Sequence, residues 1–177
     1  MKKIKILKSE NYYYNDGYCT DSNFIIISEL IETNNKEFEK MMSTNTPAQA
    51  IKGKVGLLAG NLKLKELVKN YSKDIKDTNE LIPLNLMTTT KGNKTLVIFY
   101  NRQVEHLTYI DKEYLDLFPN EIKLYQTDGT LSGCSCYLDN TYLGTIMPVY
   151  MKNTVLPKEL ALVKRELISE LNNVEIY

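Results

Sequence analysis

The clearest structural pattern in this chain lies in LVIFY (96–100), DKEYLDLF (111–118), KLYQ (123–126), SGCSCYLD (132–139) and TYLGTIMPV (141–149). Apolar residues alternate along the strand-like pieces, whereas Tyr114, Leu115 and Phe118 recur at the spacing of one helix face. Asp111 is placed to cap that helix, because its carboxylate can accept hydrogen bonds from the first free backbone N–H groups. This order predicts a strand, a short helix and then three strands.

Turn signals set the expected boundaries of these elements. Asp-Gly (128–129) and Asp-Asn (139–140) are pairs that favour tight hairpin turns. Pro119 and Asn120 are expected to end the helix. The predicted helix covers residues 112–118, and the predicted strands cover 95–100, 104–109, 122–126, 133–138 and 143–149.

The segment immediately before this stretch predicts the first half of a hairpin. In LIPLNLMTTT (81–90), apolar residues alternate as in a strand. Because Pro83 lacks a backbone N–H, it confines that strand to a sheet edge or places the start of the strand there. The turn signal KGN (91–93) then leads into 95–100, whose Val, Ile and Phe content is typical of a central strand.

Strands and one helix are predicted for the first 42 residues. A strand at 3–7 precedes YYYNDGYCT (12–20), in which the NDG signal gives a tight hairpin turn. FIII (24–27) is either a buried strand or the entry to a helix. NNKEFEKMM (34–42) predicts a helix with Asn34 or Asn35 as its N-cap.

The middle of the chain combines an expected loop with a second helix. Residues 43–60 contain a proline and three glycines, which break any long element and predict a linker or mobile loop. Asn61 is the expected N-cap of the next segment, LKLKELVKNYSKDI (62–75). Lysines occupy one face of this segment. The apolar residues recur at helical spacing on the other face and are Leu64, Leu67, Val68 and Tyr71.

Length and composition are those of one ordinary globular domain with an appended element. The chain has 177 residues, of which 43% are hydrophobic and 25% charged, far from the composition of disordered chains. The 22 basic and 22 acidic side chains give a formal charge of +0, so no net field draws the protein onto nucleic acid. No apolar run approaches the ~18 residues of a membrane helix, and no membrane contact is expected.

The cysteines are expected to pack in the core. Cys134 and Cys136 stand two apart on one face of a predicted strand, as small core residues do. The alternative is a nucleophile or zinc site that uses His106, the only histidine, with Cys19 as a further zinc ligand. We expect no catalytic residue, no metal and no cofactor. Three cysteines, an odd number, without a signal peptide indicate a reducing compartment and hence the cytoplasm.

The order helix, strand, strand, strand, ending in TIMPV, resembles the last half-domain of bacterial DNA sliding clamps. In that family a helix of the form Asn or Asp, x, x, Tyr, Leu is followed by a run of Tyr-Leu-x-x-Ile-Met-Pro with Val or Met. The matching positions are Asp111, Tyr114, Leu115, Tyr142, Leu143, Ile146, Met147, Pro148 and Val149. The resemblance covers roughly a third of the chain and implies an α+β, DNA-clamp-like single domain over 1–150. Residues 3–42, by their strands-then-helix order, are the candidate partner half-domain.

The resemblance also implies two kinds of site. In sliding clamps the Ile-Met-Pro run lines the hydrophobic pocket that receives partner peptides. The implied partner-binding residues here are Ile146, Met147, Pro148, Val149 and Tyr150. A true clamp is a ring of several copies whose inner helices present lysines to DNA, so a homo-oligomer follows from this version. The candidate DNA-facing residues are Lys63, Lys65, Lys69 and Lys112.

Residues 151–177 are predicted to add a C-terminal amphipathic helix. Sliding clamps end soon after their Met-Pro pair, whereas Pro157 here opens a further segment, KELALVKRELISEL (158–171). Its apolar face carries Leu160, Val163, Leu167, Ile168 and Leu171. We expect this helix, or that of an oligomer mate, to cover the region around Met147 and Pro148.

Two functions follow from this reading. The first is a non-enzymatic, phage-encoded binding protein that acts on DNA replication or on a host nucleic-acid machine through protein contacts. The second is an anti-defence inhibitor that uses the same scaffold to occupy a host immune effector, such as a CRISPR effector, without binding DNA. The 13 tyrosines favour a protein partner, and the abundance of Lys, Asn and Ile is typical of AT-rich genomes.

Overall fold

The structure is a computed structural model that describes residues 4–5, 11–71, 80–126 and 132–151, together with residues 161, 165–167 and 169. Within these residues the fold mixes α-helices with mainly antiparallel sheet, as the α+β prediction requires. The α-helices whose two ends lie within these residues are α1 (Lys36–Ser43), α2 (Leu64–Tyr71) and α3 (Lys112–Leu115). None of the helices in this described part is long and apolar enough to cross a membrane.

The strands of the N-terminal half are β1 (Ile4–Lys5), β2 (Asn11–Asn15), β3 (Tyr18–Thr20), β4 (Phe24–Ile27), β5 (Ile31–Glu32), β6 (Ala48–Ile51) and β7 (Lys54–Leu57). Those of the C-terminal half are β8 (Leu81–Thr89), β9 (Thr95–Asn101), β10 (His106–Asp111), β11 (Lys123–Gln126), β12 (Cys134–Leu138) and β13 (Thr141–Ile146).

An eight-stranded antiparallel sheet joins the two halves of the chain. Its order is β11-β12-β13-β4-β3-β2-β6-β7. The junction is the pairing of β13 with β4, in which Ile146 lies opposite Phe24 and Gly144 opposite Ile26. The short strands β1 and β5 form a separate parallel pair.

A three-stranded sheet, β10-β9-β8, packs beside the large sheet. The predicted central strand is β9, and β8 is an edge strand, so the expectation from Pro83 is confirmed. The register of β8 shifts between Pro83 and Leu86, where Asn85 has a positive φ of 54°. Such a bulge twists an edge strand and discourages pairing with another chain.

The main core lies between the large sheet and the elements on one of its faces. Phe38 of α1 and the side chains of Ile26, Cys134, Cys136 and Ile146 are all buried to within 1% exposure. The inner face of the three-stranded sheet adds further side chains to this core: Leu81, Val97, Phe99 and Ile110. The expectation that the two nearby cysteines pack in the core is therefore confirmed.

A buried polar group links the two sheets. The Gln126 side-chain oxygen accepts hydrogen bonds from Asn101 Nδ2 at 3.2 Å and from Thr108 Oγ1 at 2.9 Å. Its amide nitrogen donates to the Ser132 carbonyl at 2.9 Å. Because Gln126 lies on β11 and its two donors lie on β9 and β10, the network ties the small sheet to the edge of the large one.

Two smaller apolar clusters lie outside the main core. One occupies the outer face of the three-stranded sheet, around Leu96, Ile98 and Leu107. The other lies under α2, where Leu64 and Val68 pack on Ile25. Since Ile25 alternates with two main-core residues on β4, α2 and α3 lie on opposite faces of the large sheet.

The prediction of a linker or mobile loop is wrong for most of residues 43–60. The strands β6 and β7 form a hairpin there, and β6 pairs with β2. Ala48 and Ala50 are completely buried, but alanine carries no strand signal in the sequence. Lys52 and Gly53, with φ of 49° and 78°, form the turn of this hairpin. Gly53 therefore connects two paired strands and does not mark a loop.

The structure confirms the predicted helix caps at Asn35 and Asp111 and two of the predicted hairpin turns. Asn35 caps α1, with its side chain accepting from the N–H groups of Glu37 and Phe38, both at 3.1 Å. Asp111 caps α3 and accepts from Glu113 N–H at 3.1 Å. The hairpin turns NDG (15–17) and Asp-Asn (139–140) are present, with positive φ at their central residues.

Several boundaries moved. Helix α2 begins at Leu64, two residues later than a cap at Asn61 predicts. Helix α3 ends at Leu115, and β13 ends at Ile146 instead of continuing to 149. The strand predicted at 104–109 is His106–Asp111. The turn predicted at 128–129 and most of residues 3–7 and 157–171 lie outside the described residues, but the C-terminal residues that are described are helical.

Candidate functional site

A cleft of about 420 Å³ opens beside α2 on the face of the large sheet away from the main core. Its floor is formed by β2, β3, β4 and β13, and its wall by α2 and the loop at 58–62. The lining residues are Tyr13, Thr20, Ser22, Phe24, Ile25, Leu58, Ala59, Leu62, Leu64, Leu67, Thr145 and Met147. Clefts that bind ligands fall in the range of ~300–1,000 Å³ and are mostly apolar.

The spacing of leucines along α2 creates the wall of the cleft. Leu64 is 1% exposed and anchors the helix on the sheet, whereas Leu67 is 41% exposed and stands at the cleft mouth. An exposed apolar side chain beside an apolar cleft adds to the surface that a partner can bury. Among the described residues that line the cleft, Leu67 is the exposed large hydrophobic one.

The loop before α2 is held in place by hydrogen bonds to the sheet. The Asn15 side chain donates to the Leu62 carbonyl. Leu58 N–H donates to the Pro47 carbonyl at 3.1 Å, and Ala59 N–H donates to the Gln49 side chain at 3.4 Å. These contacts fix the loop wall, so the cleft exists without a bound partner.

Two of the hydroxyl groups that line the cleft have partners within the protein. Thr20 Oγ1 donates to the Phe24 carbonyl and accepts from Ser22 N–H at 3.0 Å. Thr145 Oγ1 and the Tyr142 hydroxyl form a hydrogen bond of 2.6 Å. Burial raises the pKa of Tyr142, so its phenol stays neutral. What the cleft offers to a ligand is chiefly apolar surface.

The five predicted partner-binding residues do not form one surface. Met147 lines the cleft, and its backbone N–H donates to the Asn23 carbonyl at 2.8 Å. Ile146 is completely buried in the main core, which leaves it no surface for a partner. Val149 packs on the outer face of the three-stranded sheet, Pro148 is half-buried, and Tyr150 is 64% exposed.

The predicted DNA-facing lysines are also divided. Lys63, Lys65 and Lys69 lie on or just before α2, whereas Lys112 belongs to α3 on the opposite face of the large sheet. Lys63 contacts Glu66 at 3.1 Å, and Lys65 contacts Asp16 at 3.3 Å. Lys112 contacts Asp116 at 2.6 Å. Three of the four lysines thus have an acidic partner close by, which lowers the positive potential they present.

The thiols are protonated in the folded protein. Burial raises the pKa of Cys134 to about 12 and raises that of Cys19 and Cys136 as well. Because the thiolate is the nucleophile and the metal ligand, these side chains are poorly prepared for either role. Within the described residues, no three His, Cys, Asp or Glu side chains are grouped so as to hold a metal ion.

Several tyrosines stack along the sheet. The rings of Tyr125 and Tyr137 meet edge to face at 5.6 Å between centroids, and Tyr137 meets Tyr142 in the same way at 5.5 Å. Cross-strand aromatic pairs of this geometry stabilise a sheet. These three rings serve packing between β11, β12 and β13.

A second cleft of about 400 Å³ lies between β8, β9, α3 and β11. Leu81, Val97 and Phe99 contribute its apolar part. Its rim carries Glu80 and Lys123, which pair at 3.1 Å. A ligand must compete with this ion pair, so the first cleft is the better candidate.

Of the partner-binding residues predicted from the sequence, Met147 alone lines the cleft, and the other lining residues were not predicted. Tyr13 and Thr20 come from the first hairpin, Leu58 from a segment predicted to be a loop, and Thr145 from the last strand. No local pattern connects these positions, because only the pairing of β13 with β4 brings them together. The sequence signal that bears on the cleft is Leu67, which lies at the margin of the apolar face of α2.

Comparison of the chain with protein-family models, with curated proteins and with solved structures gave no match in any of the three.

Proposed function

We propose that this protein is a non-enzymatic binding protein whose cleft beside α2 receives an apolar segment of a partner protein. The observation that carries this proposal is the lining of the cleft. It is largely apolar, and it includes the exposed Leu67 and the predicted contact residue Met147. The hydroxyl groups of Thr20 and Thr145 already have partners within the protein. Burying such surface against a partner is favourable by ~25 cal/mol per Å² of apolar area.

The scaffold in this proposal is a clamp-like domain over residues 1–150 with an extension over 151–177. The succession β10, α3, β11, β12 and β13 supports it, because this is the order found in the sliding-clamp half-domain that the sequence resembles. In this version the protein acts in the bacterial cytoplasm on DNA replication or on a host nucleic-acid machine. A closed ring of several copies would then be required.

A second candidate function is an inhibitor of a host defence effector that binds protein and not DNA. The observation in its favour is the pairing of Lys63, Lys65 and Lys112 with carboxylates. The placement of Lys112 on the opposite face of the sheet from α2 points the same way. A surface that follows a DNA backbone needs several unpaired cations in one stripe.

The cleft is tested with peptides selected from a random library on the immobilised full-length chain. The affinity of the best peptide is then measured for the wild type, for Leu67→Asp at the cleft mouth, and for Leu57→Asp. Leu57 is the matched control, because it is 70% exposed on β7 and does not line the cleft. A charge at an apolar contact weakens binding by about 10-fold or more, or ~1.4 kcal/mol.

The proposal predicts that Leu67→Asp loses affinity and Leu57→Asp keeps it within about a factor of two. Equal binding by both variants, or a library that yields no binder, would contradict it. Titration of a labelled DNA duplex at low salt separates the two functions. DNA binding that weakens steeply as salt is added favours the clamp function. Failure to bind the duplex at low salt excludes the clamp function.

A further inference from the structure

The outer face of the three-stranded sheet carries a completely buried apolar cluster. Leu96 and Ile98 are 0% exposed, and Leu107 is 5% exposed. The described hydrophobic residues packed against the cluster are Ile82, Leu84 and Leu86 of the same sheet, and Val149 and Met151. Two side chains from outside the sheet do not account for the burial of a face three strands wide.

The chain itself leads onto this face after β13. Val149 N–H donates to the Tyr109 carbonyl on β10 at 2.8 Å, which fixes the chain along the edge of the small sheet. Val149 and Met151 then pack on the cluster. Residues 152–177 continue from this point. A segment joined to the chain at this point needs no association between copies to reach the outer face.

The described C-terminal residues show which side of their helix meets protein. Residues 161, 165–167 and 169 are helical, and among them Leu167 alone is half-buried. Arg165, Glu166 and Ser169 are exposed. The buried side is the one on which the sequence places the apolar residues of segment 158–171.

We propose that the C-terminal helix covers the outer face of the three-stranded sheet in its own copy, through the side that carries Leu167. The dimensions agree, because three strands ~4.8 Å apart present a strip about 10 Å wide, which is the diameter of one helix. This placement differs from the expectation that the helix covers Met147 and Pro148. Met147 lines the cleft on the large sheet, so the cleft stays open to a partner.

The chain has no tryptophan, so a single indole reports its own surroundings. The first pair of variants is Leu167→Trp and, as control on the exposed side, Glu166→Trp. The L167W indole is expected to emit at shorter wavelength than the E166W indole. Equal emission from both would mean that Leu167 does not face protein, and would overturn the proposal.

A second substitution identifies the surface that Leu167 meets. Leu84→Lys, added to L167W, places a charge at the margin of the outer-face cluster and is expected to move the emission to longer wavelength. Leu57→Lys, on the far edge of the large sheet, is the matched control and leaves the emission unchanged. Ile82→Ser is the milder alternative if far-UV circular dichroism shows that Leu84→Lys does not fold.

Three results would refute the placement. One is an L167W emission wavelength that changes with neither Leu84→Lys nor Ile82→Ser. Another is emission that responds to Leu57→Lys instead. The third is emission that changes with protein concentration, because the helix would then be held by a second copy. Peptide binding in the cleft is a separate measurement, so either proposal can fail without the other.

Discussion

Replacing Gly144 with alanine should destabilise the junction of the large sheet. Gly144 lies on β13 opposite Ile26 of β4. A Cβ at this position would stand 2.3 Å from the Ile25 carbonyl oxygen, 3.1 Å from Ile26 Cα and 3.1 Å from the Phe118 ring. The nearest atom belongs to the backbone of a central strand, so a side-chain movement cannot relieve the clash.

The size of the effect follows from what has to move. Carbon and oxygen atoms in contact need roughly 1 Å more than this separation, and that distance must come from the pairing of β13 with β4 or from the Phe118 ring. Overpacking a core by one carbon costs about 1–3 kcal/mol where side chains can adjust. Here the backbone must adjust, so we expect a loss of about 3 kcal/mol or more.

The measurement is urea unfolding followed by far-UV circular dichroism, with Gly56→Ala as the matched control. Gly56 also lies in a strand, but nothing stands within 4 Å of its added Cβ. We expect Gly144→Ala to lower the midpoint strongly and Gly56→Ala to stay within about 0.5 kcal/mol of the wild type. For a domain of this size the loss corresponds to a decrease in Tm of about 6–12 °C.

Unfolding of Gly144→Ala at the same urea concentration as Gly56→Ala would contradict the expected clash at Gly144. That result would mean that β13 and β4 lie further apart than the structure places them, and the cleft floor would change with them. A change in the slope of the transition without a change in its midpoint would also contradict the argument. It would indicate a different unfolded state instead of a strained sheet.

Three further predictions use the same unfolding measurement. Asn35→Ala should lower the free energy of unfolding by about 1 kcal/mol, because two N–H groups of α1 lose their acceptor. Asn34→Ala, at an exposed neighbouring position, should leave it almost unchanged. Equal decreases for the two variants would contradict Asn35 as the cap. Gln126→Ala should lower the free energy of unfolding by about 2 kcal/mol, because two buried donors become unsatisfied. Gln103→Ala, at an exposed position, should leave it unchanged. An unchanged stability of Gln126→Ala would show that the hydrogen bonds between the two sheets are not needed for stability. Stability should fall as pH rises from about 9 towards 12, since burial raises the pKa of Cys134 from 9.0 to about 12 and the unfolded thiol ionises first. Cys134→Ala should flatten this decline, and an unchanged pH profile would refute it.

The sequence predicts structure well where the deciding contact is local. Asn35 caps α1 because its side chain reaches N–H groups two and three residues ahead. The turn at Asp139 and Asn140 forms because both residues accept a positive φ, 47° and 65° here. In each case the physical cause lies within four residues, so a pattern in the sequence contains it.

Prediction fails where the deciding contact is distant. Ala48 and Ala50 become strand residues only because β6 pairs with β2, and alanine itself does not favour a strand. Thr145 and Leu58 line one cleft although they lie in separate parts of the chain. Which strand neighbours which depends on burial across the whole fold, and the clamp resemblance covered too little of the chain to supply it.

The pairing of β13 with β4 has a consequence for how the protein is made. A ribosome that adds ~5–20 residues per second needs roughly 6–24 s to proceed from Ile26 to Gly144. During that time the FIII segment has no partner on one edge, and the nascent sheet exposes apolar side chains. Folding must therefore finish after most of the chain has left the exit tunnel.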